Sequence, residues 1–140
     1  MNSLNPYVFF NGNCADAMRF YADIIGGKLD ILTHADAPPE SQSPPGSEHL
    51  VMHARLAKPG FELMASDDMP NSNYAGMHGF YLSLVCEDVA EAKRTFEALA
   101  QGGEVRLAFA KTFWAEGFGM LRDKFGAPWM INAGMAPRPQ

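Results

Sequence analysis

Cysteine, basic charge and long apolar runs are all scarce in this sequence of 140 residues. The two cysteines, Cys14 and Cys86, lack the spacing of a disulfide framework or a metal site, which predicts reduced thiols in a cytoplasmic protein. The net charge is −5 and the basic residues are scattered, so we expect no nucleic-acid surface. No apolar run approaches the ~18 residues of a membrane span and no secretory leader pattern is visible, so we expect no membrane contact.

The sequence does contain an internal duplication, which is clearest in two predicted hairpins. Near the C-terminus, strands Phe118–Arg122 and Pro128–Asn132 flank the turn 123–126, whose first-position Asp and fourth-position Gly are typical of a type I turn. A weaker copy lies 66 positions earlier, with strands His53–Lys58 and Phe61–Ser66. Three residues recur at that offset: Lys58, Gly60 and Met64 align with Lys124, Gly126 and Met130.

A strand, a helix and a second strand precede each hairpin. We predict helices over 14–25 and 89–101, with Asn13 and Asp88 as their N-caps and a Gly-Gly pair after each; the two pairs lie 76 positions apart. Apolar residues at helical spacing predict the buried faces Ala17, Phe20, Tyr21, Ile24 and Val89, Ala92, Phe96, Leu99. The remaining predicted strands are Tyr7–Phe10, Lys28–His34, Phe80–Cys86 and Glu104–Ala110.

These elements predict an α+β protein of two βαβββ modules in tandem. We expect a single domain, 1–140, made of two repeats at about 4–67 and 79–134. The helices should cover one face of a mixed, curved sheet, and the other face should surround a cleft. The first repeat also holds a Pro- and Ser-rich segment at 35–48, which we expect to be a flexible surface loop without packed residues.

Polar side chains should share one face of the first hairpin. If Pro59-Gly60 forms a type II turn, residue 58 pairs with 61 and residue 55 with 64, and opposed residues share a face. The resulting polar set is His53, Arg55, Glu62, Met64 and Ser66. We interpret it as the cleft lining, with His53 as the candidate catalytic residue because an imidazole can donate, accept or bind metal. The alternative is structural, with a surface ion pair between Arg55 and Glu62 and a His that is only hydrogen-bonded.

Aromatic side chains on or beside strands give the second indication of a binding site. Tyr7 and Phe9 share a face of the first strand, and Trp114 lies at a strand end near the expected mouth of the cleft. Trp129 shares a face with Ile131 and is expected in the core beneath the helix. The ligand-binding candidates are His53, Arg55, Glu62, Met64, Tyr7, Phe9, Tyr81, Trp114 and Met130.

Two motifs and the paired modules resemble a known family. The motifs are FNGN-x-x-x-A-x-x-FY at Phe10–Tyr21 and TFW…GFG…DKFGAPWMIN at Thr112–Asn132. They resemble the PhnB-like branch of the vicinal oxygen chelate superfamily, which has the glyoxalase/bleomycin-resistance/dioxygenase fold, over nearly the whole chain. The resemblance implies a homodimer. Some members carry a label of ubiquinone-pathway methyltransferase, which this sequence does not support because no strand leads into a Gly-rich loop suited to S-adenosylmethionine.

The resemblance also bears on metal binding. The superfamily's metal enzymes place a His or a carboxylate at four strand positions, which here fall near Pro6 or Tyr7, at Met64, near Tyr81 and at Met130. None of these offers an imidazole or a carboxylate, and a thioether suits neither magnesium nor zinc. We therefore expect no metal and no other cofactor. A displaced site formed by His53 and Glu62 remains the alternative.

Three functions stay open at this point. The first is a metal-free protein that binds a small organic molecule. The second is an enzyme of the same fold acting on a small organic anion, metal-free or with an atypical metal, in which His53 is the general base and Arg55 steadies the anion. The third is an interaction protein whose cleft is vestigial.

We predict that the purified protein retains no stoichiometric metal after dialysis, because Met64 and Met130 replace the oxygen and nitrogen ligands that a hard cation needs. Elemental analysis by inductively coupled plasma mass spectrometry measures this directly. One equivalent of zinc, nickel or manganese surviving dialysis would refute the prediction.

Overall fold

The computed structural model describes residues 2–41 and 43–135, and the chain divides into two compact units, Met1–Gly76 and Met77–Gln140. The first unit contains β1 (Tyr7–Phe10), α1 (Cys14–Ile25), β2 (Lys28–Thr33), β3 (Val51–Lys58) and β4 (Phe61–Asp67). The second contains β5 (Leu82–Cys86), α2 (Val89–Ala100), β6 (Glu104–Ala110), β7 (Ala115–Arg122) and β8 (Pro128–Met135). No helix in this described part of the chain has the length and apolar character needed to cross a membrane.

Each unit builds one four-stranded mixed sheet. The strand orders are β1-β4-β3-β2 and β5-β8-β7-β6, with β1 parallel to β4 and β5 parallel to β8. The other neighbouring strands are antiparallel, and α1 and α2 pack on the sheets of their own units. Two units with the same βαβββ order confirm the predicted fold class.

The register of the first hairpin is the one that the Pro-Gly turn predicts. Arg55 pairs with Met64 and Lys58 with Phe61, and Gly60 has a φ of 103°, as the second position of a type II turn requires. The residues that turn toward α1 are buried: Ala54, Leu56, Leu63 and Ala65. The division of this hairpin into an apolar and a polar face is therefore confirmed.

The cap of α1 differs from the prediction. The side chain of Asn13 makes no capping hydrogen bond. Instead, the buried carboxylate of Asp67 accepts from the backbone N–H of Cys14 through Oδ1 and from that of Val51 through Oδ2, both at 2.9 Å. Asp88 caps α2 as predicted, because its Oδ1 accepts from the N–H of Glu91 at 2.7 Å.

The buried face of α1 is also shifted from the predicted one. It consists of Cys14, Ala17, Met18 and Tyr21, while Phe20 and Ile24 are only partly buried. The bond to Asp67 explains the shift, since it holds the first residue of the helix at the end of β4. Burial, followed by the negative charge of Asp67, raises the pKa of the Cys14 thiol to about 12, so this thiol stays protonated at neutral pH. On α2, Ala92, Phe96 and Leu99 are buried as predicted.

Segment 35–48 is more structured at its base than its composition predicts. The N–H of Ala35 donates to the carbonyl of Glu48 at 3.1 Å, and His34, predicted as the end of β2, begins a short 3₁₀ turn. Ser47 is fully buried, so the expectation that nothing in the segment packs is wrong. Its mobility stays a prediction, which amide hydrogen exchange would measure.

The second glycine of each Gly-Gly pair allows two strands to approach closely. A Cβ on Gly27 would lie 2.9 Å from the carbonyl oxygen of Ala57, and a Cβ on Gly103 would overlap the carbonyl oxygen of Arg122. Gly27 and Gly103 therefore have the same role in the two units, which is to permit close contact between backbones. In the structure this equivalence makes Ala57 of the first unit the counterpart of Arg122 in the second. The offset is 65 on this strand and 66 on the next, because one more residue separates Arg122 from its partner Pro128 than separates Ala57 from Glu62.

We predict that Asp67→Asn lowers the free energy of unfolding by about 1–3 kcal/mol, because the amide nitrogen would face a buried N–H donor and leave it unpaired. Asp68→Asn is the matched control, since Asp68 is only partly buried and its Oδ1 accepts a bond from the adjacent Met69. The control should change the stability by no more than about 0.5 kcal/mol. Urea unfolding followed by circular dichroism measures both, and equal effects would contradict the role of Asp67.

Candidate functional site

The face of the first sheet that α1 leaves open carries the candidate residues of the first unit. We call it the open face; on β1, β3 and β4 it carries Tyr7, Phe9, His53, Arg55, Glu62, Met64 and Ser66, and on β2 it carries Asp30 beside Arg55 and Leu32 beside His53. The parallel register of β1 and β4 places Tyr7 beside Met64 and Phe9 beside Ser66. Tyr7 is 41% exposed and Phe9 48% exposed, so the two rings are accessible from the open face.

A chain of hydrogen bonds connects three of these side chains. The hydroxyl of Ser66 donates to the carbonyl of Met52 at 2.9 Å, the hydroxyl of Tyr7 bonds to Oγ of Ser66, and Nδ1 of His53 lies 3.1 Å from the Tyr7 oxygen. The ring of Tyr7 also packs against that of His53, with centroids 5.7 Å apart.

The donors and acceptors along this chain of hydrogen bonds determine the tautomer of His53. The carbonyl of Met52 can only accept, so the single proton of Ser66 is used there. Tyr7 must then donate its proton to Ser66, and its oxygen must accept from Nδ1–H of His53. In the neutral imidazole, Nε2 therefore carries a lone pair, and Nε2 makes no hydrogen bond within the residues that the structure describes.

Arg55 and Glu62 form the diagonal ion pair that the register predicts. Nε of Arg55 donates to Oε1 of Glu62 at 2.6 Å, and Nη2 donates to Oε2 at 3.3 Å. The hydrogen bond from Arg55 holds the pKa of Glu62 below its usual value, and the charge of His53 acts in the same direction. The Arg55 side chain is 43% exposed, so the pair is open to solvent and to a ligand.

The open face holds few of the ligands that a hard metal ion prefers. Tyr7 and Met64, at positions where the family resemblance implies metal ligands, are neighbours in the register and supply a phenol and a thioether. Both oxygens of Glu62 already bind Arg55, which weighs against a displaced site with His53. Among residues 2–41 and 43–135, no three His, Cys, Asp or Glu side chains cluster in a way that could hold a metal. The absence of a bound metal stays a prediction.

The second unit holds the other candidates. Met130 lies between Ser83 on β5 and Met120 on β7, on the sheet face opposite α2. The ring of Trp114 packs edge-on against that of Phe118, with centroids 5.3 Å apart. Tyr81 accepts a hydrogen bond from Arg106. The structure thus brings the first-unit candidates into one cluster, while Tyr81, Trp114 and Met130 belong to the separate second unit.

Trp129 is a core residue, as predicted. It is buried beneath α2, and its Nε1 donates to Oδ2 of Asp123 at 2.9 Å. Sequence reasoning placed Ser66 on the polar face but did not count it among the ligand-binding candidates. The sequence contains the information needed to include it, because side chains alternate along a strand and Ser66 therefore shares a face with Glu62 and Met64.

Comparison with known proteins identifies close relatives over the full fold. The family model described as 3-demethylubiquinone-9 3-methyltransferase matches residues 2–132. Protein YjdN of Escherichia coli K12 is 40% identical over 138 residues, covering 92% of this chain and 93% of YjdN. The crystal structure of protein PA1353 from Pseudomonas aeruginosa is 42% identical, with a TM-score of 0.89 over 96% of this chain and 98% of that one.

Two further structures confirm the resemblance seen in the motifs. A putative 3-demethylubiquinone-9 3-methyltransferase, PhnB protein, from Bacillus cereus is 26% identical, with a TM-score of 0.75 over 95% of this chain and 100% of that one. A glyoxylase/bleomycin resistance protein/dioxygenase domain from Frankia sp. EAN1pec is 12% identical and shares the fold alone, with a TM-score of 0.65 over 99% and 96% of the two chains. The chain therefore belongs to the PhnB-like family described as 3-demethylubiquinone-9 3-methyltransferase, and it has the glyoxalase/bleomycin resistance/dioxygenase fold.

Proposed function

We propose that this protein binds a small organic molecule on the open face of the first sheet. The observation that carries the proposal is the hydrogen-bond chain behind His53, which leaves Nε2 as an acceptor beside two exposed aromatic rings. The hydrogen bond at Nδ1 orients the imidazole of His53, and Nε2 can then accept a hydrogen bond from an O–H or N–H group of a ligand. Tyr7 and Phe9, whose ring centroids lie 5.4 Å apart, offer an apolar surface for the body of the ligand.

The charge pair indicates an anionic ligand. A guanidinium has five N–H donors, and Glu62 uses Nε–H and one Nη2–H of Arg55. The remaining donors of Arg55 face Asp30 of β2 in the register but, among the residues that the structure describes, form no ion pair with it, and they can bind a carboxylate or a phosphate. We therefore propose a ligand with an acidic group for Arg55 and a hydrogen-bond donor for His53. The metal-free character of this site belongs to the proposal.

The tautomer of His53 favours one second candidate, an enzyme that removes a proton from its substrate. Nε2 would take the proton, as a general base does. The ligand site is the same in both candidates, so kinetic assays with a bound ligand would separate them.

We do not extend to this chain the methyl transfer that the family description names. S-adenosylmethionine sites are typically built on a Gly-rich loop between a strand and a helix, and the link between β1 and α1 is only Asn11-Gly12-Asn13. A vestigial cleft in an interaction protein remains the outcome if no ligand binds.

We also propose that the protein is a cytoplasmic homodimer. The dimer is supported by the family resemblance, and sedimentation equilibrium would measure it. A reducing compartment is supported by the scarcity of cysteine and by the burial of both Cys14 and Cys86.

We predict that at least one compound in a panel of planar hydroxy-acids and keto-acids raises the melting temperature by about 3 °C or more at saturation, because it binds the folded state only. Differential scanning fluorimetry measures this. Arg55→Ala should weaken binding about tenfold or more, which corresponds to the loss of one charge-assisted hydrogen bond, while leaving the stability without ligand nearly unchanged, because exposed ion pairs contribute little. Tyr7→Phe should also weaken binding. Without the Tyr7 hydroxyl as acceptor, the proton of His53 is no longer held on Nδ1, and Nε2 is no longer fixed as a hydrogen-bond acceptor.

Arg19→Ala is the matched control for the loss of charge, since Arg19 is an exposed residue of α1. It should leave the affinity unchanged. A panel without any thermal shift would contradict the binding function. Large and non-additive losses of stability in Arg55→Ala, Glu62→Ala and the double variant would instead show that the pair is structural.

A further inference from the structure

The second unit contains an open concavity with a volume of about 620 Å³ that the proposed function does not use. It lies where the start of β8, the end of β7 and the segment before β5 meet, with β6 along one side. Its lining residues are His78, Gly79, Phe80, Tyr81, Arg106, Arg122 and Pro128. Two of these side chains are guanidinium groups, and none is a carboxylate.

Two backbone carbonyls hold Arg122 in place in this concavity. Its Nη1 donates to the carbonyl of Gly126 and its Nη2 to the carbonyl of Met77 at 3.2 Å, so two backbone acceptors hold the group in place. Neither acceptor carries a net charge. Within the described residues, Arg122 forms no ion pair.

The carboxylate of Asp123, next to Arg122 in the chain, is used elsewhere. Its Oδ1 accepts from the backbone N–H groups of Phe125 and Ala127, and its Oδ2 accepts from Nε1 of Trp129. Asp123 is 3% exposed, so this carboxylate belongs to the buried turn. It therefore stabilises the turn.

Arg106 brings a second guanidinium to the rim. Its Nη1 donates to the hydroxyl of Tyr81 at 3.4 Å, and its Nε lies 3.7 Å from Oε1 of Glu104. Glu104 offsets part of this charge, but the contact is long and exposed. Several N–H donors of Arg106 and Arg122 are thus left for a ligand.

The internal repeat provides an independent reason to regard this charge as functional. Ala57 pairs with Glu62 in the first unit, and its counterpart Arg122 pairs with Pro128 in the second. Pro128 therefore occupies the position of Glu62, whose carboxylate neutralises Arg55 in the first unit. The second unit has a cation, Arg122, on the same part of its sheet. Glu104 lies beside it in the register of β6 and β7, but among the described residues its carboxylate contacts Arg106 and forms no ion pair with Arg122.

We propose that this concavity is a second binding site, for a small organic anion. Arg122 and Arg106 hold its carboxylate or phosphate group, because the planar guanidinium fork matches the geometry of both. Phe80, which is 38% exposed, and the ring of Tyr81 contact the apolar body of the ligand. The site lies wholly within the second unit, so it does not depend on ligand binding at the open face.

Phenyl phosphate, benzoate and inorganic phosphate are the probes, titrated by isothermal calorimetry and by NMR at low ionic strength. We expect saturable binding of at least one organic probe, with shifts in the signals of His78 and Tyr81, and a several-fold lower affinity for inorganic phosphate. The comparison of phenyl phosphate with benzoate decides which acidic group the site prefers. Raising the salt to about 0.5 M NaCl should weaken binding, because the arginine charges are then screened.

Variants assign the binding to the two arginines. Arg122→Gln should weaken the organic probe about tenfold or more, the loss expected for one charge-assisted hydrogen bond, and Arg106→Gln should weaken it severalfold. Arg94→Gln removes the same charge from the exposed side of α2 and should have no effect. If Arg122→Gln fails to fold because Gly126 and Met77 lose their donor, Arg106→Gln decides alone, since Arg106 is exposed.

Three results would overturn the proposal. The first is the absence of saturable binding of either organic probe up to about 10 mM, which corresponds to a binding free energy near −3 kcal/mol. The second is an unchanged affinity in both Arg122→Gln and Arg106→Gln. The third is a loss of affinity in Arg94→Gln that equals the loss in these two variants. NMR shifts confined to His53 and Tyr7 would also overturn it, because the probe would then occupy the open face.

Discussion

The carboxylate of Asp67 connects the elements on which the first unit depends. It ends β4, and its two oxygens hold the first N–H of α1 and the first N–H of β3. A buried carboxylate is costly unless its oxygens are paired, so the three elements must stay in this arrangement for the charge to be tolerated. Phe10 lies beside Asp67, and Tyr7, three residues earlier, therefore lies beside Met64. The hydroxyl chain that orients His53 follows from this alignment.

The two faces of the first sheet separate stability from recognition. Burial of apolar groups such as Leu56 and Phe10 beneath the helix contributes the larger part of the folding energy. The pair of Arg55 and Glu62 on the other face is partly exposed, and pairs of this kind contribute little to stability. Substitutions on the open face can thus alter its chemistry with little loss of folding stability. The repeat shows such a change, because Pro128 takes the place of Glu62.

Local patterns in the sequence were sufficient for most of the fold. Apolar periodicity and the Gly-Gly pairs predicted the helices to within one residue, and Pro59-Gly60 predicted the register of the first hairpin. The capping of α1 was missed because Asp67 lies 53 positions from Cys14, and local cap rules do not reach so far. The contact of Tyr7 with Ser66 was missed for a related reason. No turn joins β1 to β4, so nothing in the sequence sets the register of that parallel pair.

Within the part of the chain that the structure describes, the first strand of each unit pairs with one strand, the last of that unit. Tyr7 and Met64 are 57 positions apart, so β1 has no place in a sheet until nearly the whole first unit has left the ribosome. The described sheet partners of the first unit lie before residue 77, however, and this unit can complete its sheet while the second is still being synthesised. The helix and the β3–β4 hairpin, which rely on contacts close in sequence, form the surface onto which β1 then docks.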